Sequence, residues 1–111
     1  MRLITVPIDK EAEERLYYDQ NSEFDVIDVF LNESDYYKLW DSKLFDKINE
    51  ALDLLIDDYE EETISGKENL EKLHAIIIEY EQVVEDNPLL YTLKSLTEAA
   101  IRFDTSVHLF F

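Results

Sequence analysis

The sequence predicts an α+β domain dominated by helix, with four to five helices packed on a small sheet formed by the N- and C-terminal strands; an all-α bundle is the alternative. Three observations predict it. Only one Gly and two Pro interrupt 111 residues, which favours long regular elements over a many-stranded sandwich. Apolar residues recur at three- and four-residue steps from Leu44 to Phe103. The two chain ends are instead rich in β-branched or aromatic residues.

Residues 2–8 read as a strand because Ile4, Val6 and Ile8 alternate with smaller or polar neighbours, and Pro7 points to a sheet edge. Residues 9–19 follow as a short helix with acids in its first turn and Ala12, Leu16 and Tyr17 spaced to face a core, until Asn21 and Ser22 break it. Residues 23–31 are ambiguous. Phe24, Ile27, Val29, Phe30 and Leu31 fit a helical face better than strict alternation, and a strand over 25–30 stays open as the alternative.

Residues 32–40 carry helix-start residues followed by aromatics, and Asp41 and Ser42 open a better-defined helix that runs to about Tyr59. Leu44, Phe45, Ile48, Ala51, Leu52, Leu55 and Tyr59 share its apolar face. Ser65-Gly66-Lys67-Glu68 matches a capping box and starts a core helix through Leu70, Leu73, Ile77, Tyr80 and Val84. Asn87 as N-cap and Pro88 at the first helical position begin the last helix, striped by Leu89, Leu93, Leu96, Ala100 and Phe103. Residues 107–111 close the chain as a strand, expected to pair with the N-terminal one.

A length of 111 residues supports a single domain spanning 1–111. No cysteine is available for a disulfide or a thiolate metal site. The N-terminal apolar run reaches Asp9 too soon for a signal peptide, and no later run approaches the ~18 residues of a membrane span. A cytoplasmic protein without membrane contact, monomeric when free, is the expectation.

Charge is the most unusual property: 27 acidic against 10 basic side chains give a formal −17. Such a field repels phosphates and anionic lipid, excludes direct nucleic-acid binding, and steers basic proteins inward. It is also lopsided, since 19 of the acids fall between Asp9 and Glu62. The densest point is 53–62, six acids without a Lys or Arg, which on a helix C-terminus opposes the macrodipole.

Catalysis finds little support in the residues, and no enzyme is expected. His74 lies within the core-helix pattern and reads as a hydrogen-bonded histidine, and His108 belongs to the terminal strand. No Gly-rich phosphate loop, H-E-x-x-H or G-x-S-x-G occurs. The acidic run lacks the Gly-containing loop of an EF-hand, so neither a metal nor a cofactor is expected.

Aromatics sharpen the reading toward binding. Tyr17-Tyr18, Tyr36-Tyr37, Trp40 and Tyr59 lie among the acids, and adjacent tyrosines cannot share one helical face, so at least one of each pair reaches the surface. Acid plus aromatic suits a basic target. The predicted partner-binding residues are Tyr18, Glu23, Asp25, Asp28, Glu33, Asp35, Tyr36, Tyr37, Trp40, Asp53, Asp57, Asp58, Tyr59, Glu60, Glu61 and Glu62.

In size, acidity, absence of cysteine and helix-rich pattern the whole chain resembles the bacterial immunity proteins of contact-dependent growth inhibition and related toxin systems. The Tyr36-Tyr37-x-x-Trp40-Asp41 stretch is similar to the barnase-inhibitor family. The resemblance implies an antitoxin that binds a basic nuclease toxin domain and presents carboxylates where RNA or DNA would lie. Two other readings share its physics: a phage-encoded nucleic-acid mimic of the anti-restriction or anti-CRISPR kind, and a non-catalytic subunit of a larger assembly.

Overall fold

Alternating β-branched residues at both chain ends meet in the centre of one antiparallel sheet. A computed structural model describes residues 2–111; Met1, the first residue of the N-terminal apolar run, lies outside the described residues. The elements run β1 (Leu3–Pro7), α1 (Lys10–Tyr17), β2 (Val26–Phe30), α2 (Glu33–Asp41), α3 (Leu44–Leu52), β3 (Glu61–Ser65), α4 (Lys67–Tyr80), α5 (Pro88–Phe103) and β4 (Ser106–Phe110). Strand order is β2-β1-β4-β3, every neighbour antiparallel. The α+β class, predominantly helical, and the pairing of the two terminal strands are as the sequence predicts. Two further strands flank that pair.

Register decides the two faces of the sheet. Ile4 opposes Leu109 and Val29, and Ile64 opposes Val107, so these side chains share one face with Val6 and enter the core with α2 to α5. Leu3, Thr5, Thr63, Ser106, His108 and Phe110 take the other face, and α1 lies over part of it, where Ser106 Oγ donates to Glu13 Oε2 at 2.7 Å. Leu70, Leu73 and Ile77 of α4 and Leu90, Leu93 and Ala100 of α5 fill the centre of the helical layer. Among the described residues no helix is long and apolar enough to cross a membrane.

Pro7 does not mark an edge, because β1 is an interior strand. Its pairing with β4 covers only residues 3–5, so the missing amide hydrogen of Pro7 falls where that ladder has already ended. Thr105 Oγ1 donates to the Pro7 carbonyl at 2.8 Å and closes the gap.

Residues 23–31 resolve as a turn and a strand rather than a helix. Ser22 and Asp25 form the reciprocal capping box of a single 3₁₀ turn, and β2 follows at the sheet edge. Apolar residues on both faces of β2, Val26 and Phe30 on one and Ile27 and Val29 on the other, blur the alternation that would have identified it.

The expected helix to Tyr59 stops at Leu52. Asp53 adopts a left-handed conformation (φ +54°) and ends it, and the Asn49 side chain then clamps the departing chain, accepting from the Ile56 amide at 2.7 Å and donating to the Ile56 carbonyl at 3.1 Å. Ile56 is turned into the core, while Leu55, in register with the helical stripe, points to solvent. Beyond Asp53, which stays at the C-terminus of α3, the acidic run therefore occupies a loop and the edge strand β3, so most of its charge lies off the helix axis.

The capping box expected at Ser65 does not form either, because Ser65 is the last residue of β3 and Gly66 holds the N-cap position without a side-chain bond. Gly66, at φ +86°, turns strand into helix within one residue, a conformation that L side chains rarely adopt. The start of the last helix is as predicted: Asn87 accepts from the Leu89 and Leu90 amides at 3.0 and 3.2 Å ahead of Pro88. Its Nδ2 donates to the Asp35 carbonyl, fastening α5 to α2.

Candidate protein-interaction surface

One cation organises the aromatic and acidic residues that the sequence singles out. Arg2, just ahead of β1, places Nη1 2.6 Å from Glu33 Oε1 and Nη2 2.7 Å from Asp58 Oδ1. Its guanidinium carbon lies 4.4 Å from the ring centre of Tyr36, 5.6 Å from that of Tyr37 and 5.9 Å from that of Tyr59. The Tyr36 hydroxyl donates to Asp58 Oδ1 at 2.7 Å. Arg2 in the first place, and Tyr36 after it, hold the Asp58 carboxyl below the ordinary carboxylate range.

The network fixes the loop that carries the acidic run. Asp57 accepts from the Asp58 amide, the Glu60 carbonyl accepts from the Phe111 amide at 3.1 Å, and Glu62 accepts from the Leu55 amide at 3.2 Å. Within this frame Tyr59 is held at φ +65°, an unfavourable conformation for a bulky residue, and is 90% exposed. Leu55 is 79% exposed. Between Leu55 to Asp57 and the helices α2 and α3 lies a notch of about 300 Å³, lined by Trp40, Asp46, Asn49, Leu55, Ile56 and Asp57.

The predicted residues fall into three groups. Glu33, Tyr37, Asp58 and Tyr59 gather around Arg2; Trp40 and Asp57 line the adjoining notch; Glu60, Glu61 and Glu62 continue from it into β3. A second group lies apart: Tyr18 at the end of α1, Glu23 before β2, Asp28 on β2, where it accepts from Thr5 Oγ1, Asp35 within α2, and Asp53 at the end of α3. The third group corrects the expectation of exposure. Tyr36 is fully buried against Phe45, Phe111 and Trp40, because its ring fills the core and only its hydroxyl reaches the loop. Asp25 is buried too, because both its oxygens are taken by Arg15, at 2.9 and 2.7 Å, and by the Ser22 amide.

Sequence reasoning misses Leu55 and Arg2. Leu55 sits at helical spacing and is read as core, whereas the Asp53 break releases it to solvent. Arg2 is a single cation in a strand pattern, and only the fold brings Glu33 and Asp58 to it. Tyr17, expected to face a core, is 81% exposed on α1.

Electrostatically the surface is unbalanced. Arg2 is shared by Glu33 and Asp58 and offsets one of their two charges, whereas among the described residues Asp46, Asp53, Asp57, Glu60, Glu61 and Glu62 form no ion pair. His74 lies elsewhere, its Nε2 3.0 Å from Glu98 Oε2 between α4 and α5. Among the described residues no group of three or more His, Cys, Asp or Glu side chains could hold a metal ion. No protein-family model matches the chain, and neither does a curated protein or a solved structure.

Proposed function

We propose that this chain is an immunity-type inhibitor that binds a basic protein domain through the surface formed by Tyr37, Trp40, Leu55 and Tyr59 and the carboxylates around them. The resemblance to immunity proteins makes a nuclease toxin domain the expected target and the cytoplasm the expected place of encounter. The observation that carries the reading is Tyr59: a strained, 90% exposed aromatic in a loop pinned from beneath by Arg2 and flanked by unpaired carboxylates. Preorganisation lowers the ordering cost of binding, and the aromatic and aliphatic tips supply contact area that water would leave. Asp46, Asp57, Glu60 and Glu61 supply the long-range attraction. Occupying a basic, phosphate-binding surface with carboxylates and a wedge of apolar groups would block access of nucleic acid to it.

The test is affinity capture from the source cell, including the product of the neighbouring gene, with the wild-type chain beside a Leu55→Ala/Tyr59→Ala variant. A basic nuclease domain retained by the first, lost by the second, and inhibited by the first in a cleavage assay is the expected result. Equal retention by both chains, or no inhibition, would overturn the assignment.

A further inference from the structure

A second surface carries aromatic groups that the interaction surface above does not use and shares Glu61 with it. Between α1 and the outer face of β3 and β4 lie two hollows of about 510 and 440 Å³ that share Tyr17, Thr63 and His108 and so form one groove. We propose that this groove receives an arginine or lysine side chain of the bound protein. The proposal rests on the reading that the partner is basic, and assigns a specific site to it.

The floor is prebuilt. Thr63 Oγ1 lies 3.2 Å from His108 Nδ1, His108 Nε2 lies 2.7 Å from Ser106 Oγ, and Ser106 Oγ lies 2.7 Å from Glu13 Oε2. Two arrangements of protons satisfy all three contacts. Ser106 donates to the Glu13 carboxylate, so the imidazole donates from Nε2 to Ser106, while Nδ1 accepts from Thr63 in the neutral ring or donates to it in the imidazolium. Burial of the ring favours the neutral arrangement. The ring stacks along Phe110, the planes 13° apart and the centres 6.3 Å. The floor therefore offers aromatic faces and no positive charge.

The walls favour a cation. Glu13 and Glu14 stand on the α1 side, and Glu61 and Asp19 at the other end, against a single basic residue, Lys10. That lysine has carboxylates of its own, Glu13 at 3.9 Å and Asp104 at 3.7 Å. At the rim Tyr17 and Tyr18 stand edge to face, 5.0 Å between centres, at 81% and 61% exposure. Paired rings above carboxylates are the environment in which a guanidinium or ammonium gains from both π faces and charge, while its aliphatic stem covers the rings. Glu61 also belongs to the acidic run, so the groove opens where the interaction surface ends. A partner bound there can reach it with one side chain.

Titration of the ¹⁵N-labelled chain with blocked hexa-arginine at low salt, and with hexa-glutamine as a neutral control, tests the proposal by NMR. Expected are saturable shifts at Tyr17, Thr63 and His108 with the arginine peptide alone, and affinity at those signals about fivefold weaker in a Tyr17→Ala/Tyr18→Ala variant. Both tyrosines are exposed, so the variant should keep the wild-type melting temperature. Unchanged groove affinity in the variant, or shifts confined to Leu55, Tyr59 and their neighbours, would overturn the groove and leave the basic-partner reading standing. No shift anywhere would overturn both.

Discussion

Arg2 and Asp58, 56 residues apart in sequence, meet at 2.7 Å and join the start of β1 to the acidic loop. The contact has two sides. It lets Tyr59 stand out from a fixed loop, and it neutralises one of the acids of the run, so that the run's remaining charge lies on its neighbours.

Removing that cation should loosen the loop. Arg2→Met leaves the Asp58 and Glu33 carboxylates without their common cation, and a stability loss of about 2 kcal/mol is expected in urea denaturation. Arg2→Lys should restore only part of it, because an ammonium cannot hold Glu33 and Asp58 as a planar fork does. Loss of amide protection over 57–60 in hydrogen exchange, greater than that over α4, would place the effect in the loop.

Acid stability should depend on the turn before β2. Arg15 first, and the Ser22 amide second, lower the Asp25 carboxyl to about 2. A depressed carboxylate contributes stability that is fully present above its ordinary value of 3.8 and is lost as pH falls through 2. Asp25→Asn should therefore lower the melting temperature at neutral pH and flatten its slope over that acidic window. An unchanged slope would show that Asp25 is not held as the Arg15 contact requires.

Core truncation should act on stability alone. Leu73 and Ile77 are fully buried on α4, and replacing either with Ala should cost ~2–5 kcal/mol in equilibrium denaturation. Costs below ~1 kcal/mol would argue against the central position of α4.

The interaction surface should show the opposite pattern. Leu55→Ala and Tyr59→Ala remove exposed side chains, so stability should stay within about 0.5 kcal/mol of wild type, while affinity for the captured partner falls about tenfold or more for each. Melting curves and calorimetric titration separate the two.

Much of the fold was legible because local chemistry and tertiary packing agree there. Asn87-Pro88 caps α5 as its residue types demand, and the β-branched ends pair as β1 and β4. Legibility failed where one residue overrules a pattern. The apolar stripe of α3 continues in sequence through Leu55 and Tyr59, but the left-handed Asp53 ends the helix, and Asn49 turns Ile56 inward in place of Leu55. β2 was obscured because an edge strand with apolar residues on both faces has lost its period of two. At the site, the clustering of acids with aromatics was visible in the sequence. Which of Tyr36 and Tyr37 is free was not, since they differ only in the side of α2 that faces Phe45 and Phe111.

The proposed role of the unpaired carboxylates beside Tyr59 is to attract and seat a basic partner. Its most direct test is stopped-flow association of the chain with the captured partner across ionic strength, for wild type and for an Asp57→Asn/Glu60→Gln/Glu61→Gln variant that spares Asp58 and its bond to Arg2. The wild-type rate should fall by about tenfold or more from low salt to ~0.5 M, and the variant should start slower and depend less on salt. A wild-type rate indifferent to salt, matched by the variant, would contradict that role.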